Sequence, residues 1–116
     1  MPRIINHNGE LFRIHETENR IEYSANDGRT WTTRYIGHTI GKFIQLVHFS
    51  DRLIVCTSKG LFQSTNRGRG WTPLYTGKII GVIKSIQENG KQLLATTTKG
   101  LFYSSDGGHV WFPKMG

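Results

Sequence analysis

One phrase recurs three times at intervals of forty residues: Ser24-Ala25-Asn26-Asp27-Gly28-Arg29-Thr30-Trp31, Ser64-Thr65-Asn66-Arg67-Gly68-Arg69-Gly70-Trp71 and Ser104-Ser105-Asp106-Gly107-Gly108-His109-Val110-Trp111. Every tryptophan of the chain closes one copy. An in-register repeat of this period means that one supersecondary unit is used three times, so the architecture follows from reading one unit.

Each unit reads as four short strands. The first strands fall at Arg3 to Asn6, Phe43 to Phe49 and Val82 to Ile86, and the second at Leu11 to His15, Leu53 to Thr57 and Leu93 to Thr97. Between them stand Asn8-Gly9, Ser50-Asp51 and Asn89-Gly90, and Asn-Gly is the strongest short hairpin signal. Lys59-Gly60 and Lys99-Gly100 lead into the third strands, and the repeated phrase leads into the fourth. Pro73 and Pro113 fall in fourth strands, where a missing N–H suits a sheet edge. Four antiparallel strands every forty residues are the blade pattern of a β-propeller. The fold class expected is all-β, with three four-stranded antiparallel blades at about 2–37, 38–77 and 78–116 of a single domain, 1–116.

The phrase resembles the Asp-box, or bacterial neuraminidase repeat, of sialidases, xyloglucanases, sortilin-type receptors and photosystem assembly factors. Gly-Leu-Phe-x-Ser before the second and third copies strengthens the likeness. The chemistry of the phrase is structural. Asn26, Asn66 or Asp106 can close an Asx-type turn onto backbone N–H groups, with Ser24, Ser64 and Ser104 at the start of the turn. Gly28, Gly68 and Gly108 supply backbone conformations that a Cβ resists. Trp31, Trp71 and Trp111 are expected to bury their rings between neighbouring sheets. Asparagine replaces the family's aspartate in two copies, which argues against a cation at these loops, and no metal site or cofactor is expected.

The resemblance raises the question of catalysis. Phe12-Arg13-Ile14-His15 is similar to the Phe-Arg-Ile-Pro motif of sialidases, but it aligns with ordinary second-strand positions, and His15 replaces the proline. The acidic residues are Asp27 and Asp106 in phrase turns, Asp51 in a hairpin, and scattered glutamates without a recurring pair, whereas a glycosidase needs two carboxylates across the scissile bond. The five histidines lack metal-ligand spacing, and the single cysteine, Cys56, sits in an apolar run. No catalytic residue is assigned.

Net charge is +7, from 15 Lys and Arg against 8 Asp and Glu, which favours acidic partners. The basic residues form no dense run, so nucleic acid is not the expected partner. No apolar stretch is long enough to cross a bilayer, and with no apolar segment after Met1 the reading leans to an intracellular protein.

In a four-stranded meander the phrases occupy one end of the sheets. The other end gathers Lys59, Lys99 and the inter-blade linkers, which carry Tyr35, His38, Lys42, Tyr75 and Lys78. These seven are the candidate ligand-binding residues, suited to an acidic or glycan ligand or to a protein partner. Closed propellers have four to eight blades, so a three-blade arc exposes two sheet faces. Two copies would close a six-bladed ring, and a homodimer is expected. The leading functional reading is a non-catalytic binding module, with a structural subunit of a larger assembly as the alternative and a glycoside hydrolase third.

Overall fold

The computed structural model describes residues 4–37 and 39–114. Arg3, expected in the first strand, and His38, a candidate ligand-binding residue, lie outside them.

Twelve strands form three four-stranded antiparallel sheets. The first sheet holds β1 (Ile5–His7), β2 (Glu10–Ile14), β3 (Arg20–Ser24) and β4 (Thr32–Ile36). The second holds β5 (Phe43–Phe49), β6 (Arg52–Thr57), β7 (Gly60–Ser64) and β8 (Thr72–Tyr75). The third holds β9 (Ile83–Asn89), β10 (Gln92–Thr97), β11 (Gly100–Ser104) and β12 (Phe112–Pro113). Each is a meander in sequence order, with β4, β8 and β12 at the edge. Pro73 and Pro113 pair with Phe62 and Phe102 from those edges. The sheets approach most closely through β1, β5 and β9, so the first strands gather toward a common axis.

The β1–β2 turn has both residues at positive φ, Asn8 at 54° and Gly9 at 85°, and Ser50 and Asp51 repeat this between β5 and β6 at 51° and 64°. Such turns carry the twist that a tight hairpin needs.

Burial along the second strands records each sheet's place in the stack. In β6 every residue from Leu53 to Thr57 is buried, because the middle sheet is covered on both sides. Leu53 and Val55 join a core with Phe12, Ile21 and Phe43 of the first interface, while Ile54 and Cys56 join a second with Ile86, Leu93 and Trp111. The end sheets have one covered side each. On the uncovered side of the first sheet the cross-strand pair is Arg13–Glu22, where the inner faces have Val55–Phe62 and Ala95–Phe102. Burial pushes the Cys56 thiol up to about 12, so it stays protonated and packs as a small apolar group.

Candidate functional site

All three repeated phrases fold into the same clasp. The serine Oγ accepts from the backbone N–H four residues on, at 2.8 Å for Gly28, 2.8 Å for Gly68 and 2.9 Å for Gly108. The same hydroxyl donates to Oδ1 of Asn26, Asn66 or Asp106 at 2.7 to 2.8 Å. That oxygen in turn accepts from the backbone of Thr30, Gly70 or Val110. The tryptophan Nε1 donates to the carbonyl of Gly28, Gly68 or Gly108 and locks the ring against the turn. Backbone and side-chain donors hold the Asp106 carboxyl below its usual range, the Val110 N–H being the largest cause. The serine hydroxyls, the Oδ1 atoms and the indole N–H groups are therefore engaged inside the turn.

Burial of the tryptophans is graded, which corrects the expectation of three equivalent rings. Trp111 is 8% exposed in the core between the second and third sheets, with its ring 6.4 Å from that of Tyr75. Trp71 packs less deeply, 6.3 Å from Tyr35. Trp31 belongs to the first sheet, and among the described residues no other sheet packs on its outer side. Its ring is covered by the Arg13 guanidinium, 3.9 Å from the centroid.

A second repeated clasp operates at the opposite end. Lys42 exchanges backbone bonds with Ser58, its N–H reaching Ser58 Oγ at 2.9 Å and its carbonyl accepting from Ser58 N at 2.9 Å. Val82 and Thr98 repeat this at 3.0 Å. Lys59 Nζ donates to the Thr39 carbonyl and Lys99 Nζ to the Ile79 carbonyl, each at 3.2 Å. In the first sheet Asn19 stands at this place, bonding the carbonyls of Gly37 and Gly41 and the N–H of Phe43. Its role was missed from sequence; alignment with Lys59 and Lys99 was the available signal.

This end carries a groove of about 1090 Å³ between the first and second sheets. Ile14, Phe43 and Leu46 give it apolar wall, while Glu16, Glu18, Lys42 and Lys59 line it with charge of both signs. Ile44, 45% exposed, also lines it. Lys59 and Lys78 line a smaller groove of about 450 Å³ between the second and third sheets. Of the candidate residues, the structure thus brings Lys42 and Lys59 to one groove and Lys59 and Lys78 to the next. Lys99 lines neither. Tyr35 and Tyr75 turn into the sheet interfaces, against Trp71 and Trp111.

The sialidase-like motif has structural partners. Arg13 Nε lies 3.0 Å from the Glu22 carboxylate, and His15 Nδ1 accepts from the backbone of Thr17 and Glu18 to close the β2–β3 loop. Glu10 is paired with Arg34 at 3.1 Å. Among the described residues no cluster of three or more His, Cys, Asp or Glu is arranged to hold a metal ion.

His7 and His48 meet between the first and second sheets, ring centroids 4.9 Å apart. Burial holds His7 below its ordinary value of 6.5, with the charges of His48 and Arg67 adding to the shift and Asp51 and Glu10 opposing it. The unfolded chain therefore takes up a proton that the folded chain refuses. Stability is full above pH 6.5 and is lost as pH falls below it toward the folded value. Phe49 occupies the matching place before the second hairpin, pairing with Arg52 as His7 pairs with Glu10. His7→Phe is expected to flatten urea-unfolding stability between pH 7 and 5; an unchanged slope would assign the acid sensitivity elsewhere.

No protein family and no curated protein matches the sequence. Solved structures sharing the fold include YCF48 bound to D1 peptide, with TM-score 0.72 and 16% identity over 95% of this chain and 38% of that one. YCF48 from Cyanidioschyzon merolae gives 0.71 and 16% over 95% and 41%. An ancestral GH74 enzyme gives 0.69 and 17% over 95% and 17%. These are β-propellers, and the three sheets are blades of a partial propeller. The chain spans less than half the length of each.

Proposed function

We propose that this chain is a non-catalytic binding module whose ligand is a protein segment, held at the end of the blades opposite the repeated phrases. The observation that carries this reading is the groove between the first two blades, where apolar wall and the Lys42 and Lys59 ammonium groups share one concavity. An extended segment with an apolar side chain for the Ile14–Ile44 wall and an acidic side chain for the lysines matches that chemistry. The likeness to YCF48 bound to D1 peptide supports a peptide ligand. Arg13, Glu10 and Glu22 are engaged in ion pairs within the first blade, which supports a non-catalytic reading.

On a random-peptide array the protein is expected to enrich sequences pairing Asp or Glu with an apolar residue. Lys42→Glu with Lys59→Glu is expected to weaken the best peptide at least tenfold, about 1.4 kcal/mol, with the circular dichroism spectrum unchanged. Undiminished binding by that variant would overturn the reading. Saturable binding on a glycan array would favour a lectin instead, and turnover of fluorogenic glycosides would favour a hydrolase. The ring itself is proposed to close as a homodimer of six blades, which also serves the alternative reading of a structural subunit.

A further inference from the structure

Within the chain, each blade hands a cation to the repeated phrase of the next. Arg34 Nη1 donates to the carbonyl of Arg67 at 2.7 Å, and Arg52 Nη2 donates to the carbonyl of Gly107 at 2.8 Å. Both acceptors are the residue three places after the serine of the phrase. The Arg34 guanidinium is steadied by the ring of Tyr23, 3.7 Å away.

The third blade has a cation at the place that Arg34 holds on the first, where the second blade has Leu74 and takes its donor, Arg52, from β6 instead, and among the described residues no sheet covers the third blade's outer side. Lys114 follows Trp111 by three residues, as Arg34 follows Trp31, and Tyr103 precedes Ser104 as Tyr23 precedes Ser24. The Lys114 ammonium lies 5.8 Å from the Tyr103 ring centroid. The first blade carries the acceptor half. At the place of Arg67 and Gly107 it has Asp27, the one carboxylate at that position in the three copies.

We propose that a second copy of this chain docks its first blade on the third blade of its partner, with Lys114 reaching the carbonyl and carboxylate of Asp27 at each of two identical seams. This deepens the reading of a six-bladed homodimer and rests on it. The sheet faces agree. On the outer side of the third blade Thr96 stands at the place of Cys56, and on the outer side of the first Arg13 stands at the place of Val55 and Ala95. Cys56 and Ala95 share the apolar core between the second and third blades, so at this one position the closing seam sets polar against polar, beside Leu94 and Leu101 at the places of Ile54 and Leu61. The charge match of Lys114 with Asp27 is what selects a second copy, and a heterologous contact repeated about a two-fold axis closes after six blades.

Light scattering on the 116-residue protein is expected to give twice 13.2 kDa at micromolar concentration. Lys114→Glu and Asp27→Arg, each placing like charges at both seams, are expected to raise the dissociation constant about 10- to 100-fold. The double variant restores opposite charge and is expected to recover the dimer. Asp27 tolerates arginine by its backbone, since its φ of 62° matches the 63° of Arg67. A monomeric wild type, or a ladder of higher oligomers, overturns both ring and seam. A wild-type dimer indifferent to both single substitutions overturns the seam and leaves the ring.

Discussion

Trp111→Ala is expected to lower unfolding free energy by about 3 to 5 kcal/mol, whereas Trp31→Ala in the dissociated chain is expected to cost about 1 to 2 kcal/mol. The two residues close the same turn with the same Nε1 bond to glycine, so the turn bond does not separate them. Their surroundings do. Trp111 is part of the core that also holds Ile54, Leu93 and Ala95, and its removal leaves a cavity between two sheets that cannot collapse without moving both. Trp31 rests under the Arg13 guanidinium, a flexible cover that can settle toward the gap. Trp71 falls between them, and urea unfolding of the three alanine variants gives the order directly. If the homodimer forms as proposed, the cost at Trp31 grows with protein concentration, because the ring is then covered in the folded dimer. Equal losses at all three positions at low concentration would show that the turn, not the interface, sets the tryptophan's contribution.

Gly60→Ala is expected to cost about 3 to 5 kcal/mol, and Gly90→Ala about 1 kcal/mol. Both glycines sit in hairpins at positive φ, 126° and 64°. At Gly90 nothing among the described residues lies within 4 Å of an added Cβ, so only the left-handed backbone is penalised. At Gly60 the new carbon would fall 2.4 Å from the Tyr75 carbonyl oxygen and 3.0 Å from Thr76 Cα. Those are backbone atoms of the edge strand and of the linker leaving the second blade. The clash can be relieved only by pushing that linker away from the β6–β7 hairpin. Thermal unfolding of the pair checks the difference, and similar midpoints for both variants would mean that the linker yields freely.

Much of the fold was legible because its signals are local. The hairpin residues Asn8-Gly9 and Ser50-Asp51, the prolines of the edge strands and the serine of each phrase act within a few residues, and all fold as the chain order implied. The candidate site was legible only in part. Lys42 and Lys59 lie at the end of the blades that the chain order implies, and they share a groove. Tyr35 and Tyr75 lie at the same end by chain order, yet their rings are taken by Trp71 and Trp111 across the interface. No spacing rule foretells that, since a tyrosine at a strand end can face either way. The linker bonds of Asn19 span up to 24 residues and escaped for the same reason.

The sequence by itself determined the repeated unit: four strands, their turns and the clasp that joins the third strand to the fourth, because each depends on backbone preferences and hydrogen bonds between near neighbours. What one blade does to the next was decided by the tertiary structure. Equivalent phrases acquire a deeply buried tryptophan in the third blade and a half-covered one in the first, and an apolar pair at inner faces gives way to Arg13–Glu22 at the outer one. Burial is a property of stacked surfaces, and a residue learns whether it faces a neighbour or solvent only when the blades have taken their places.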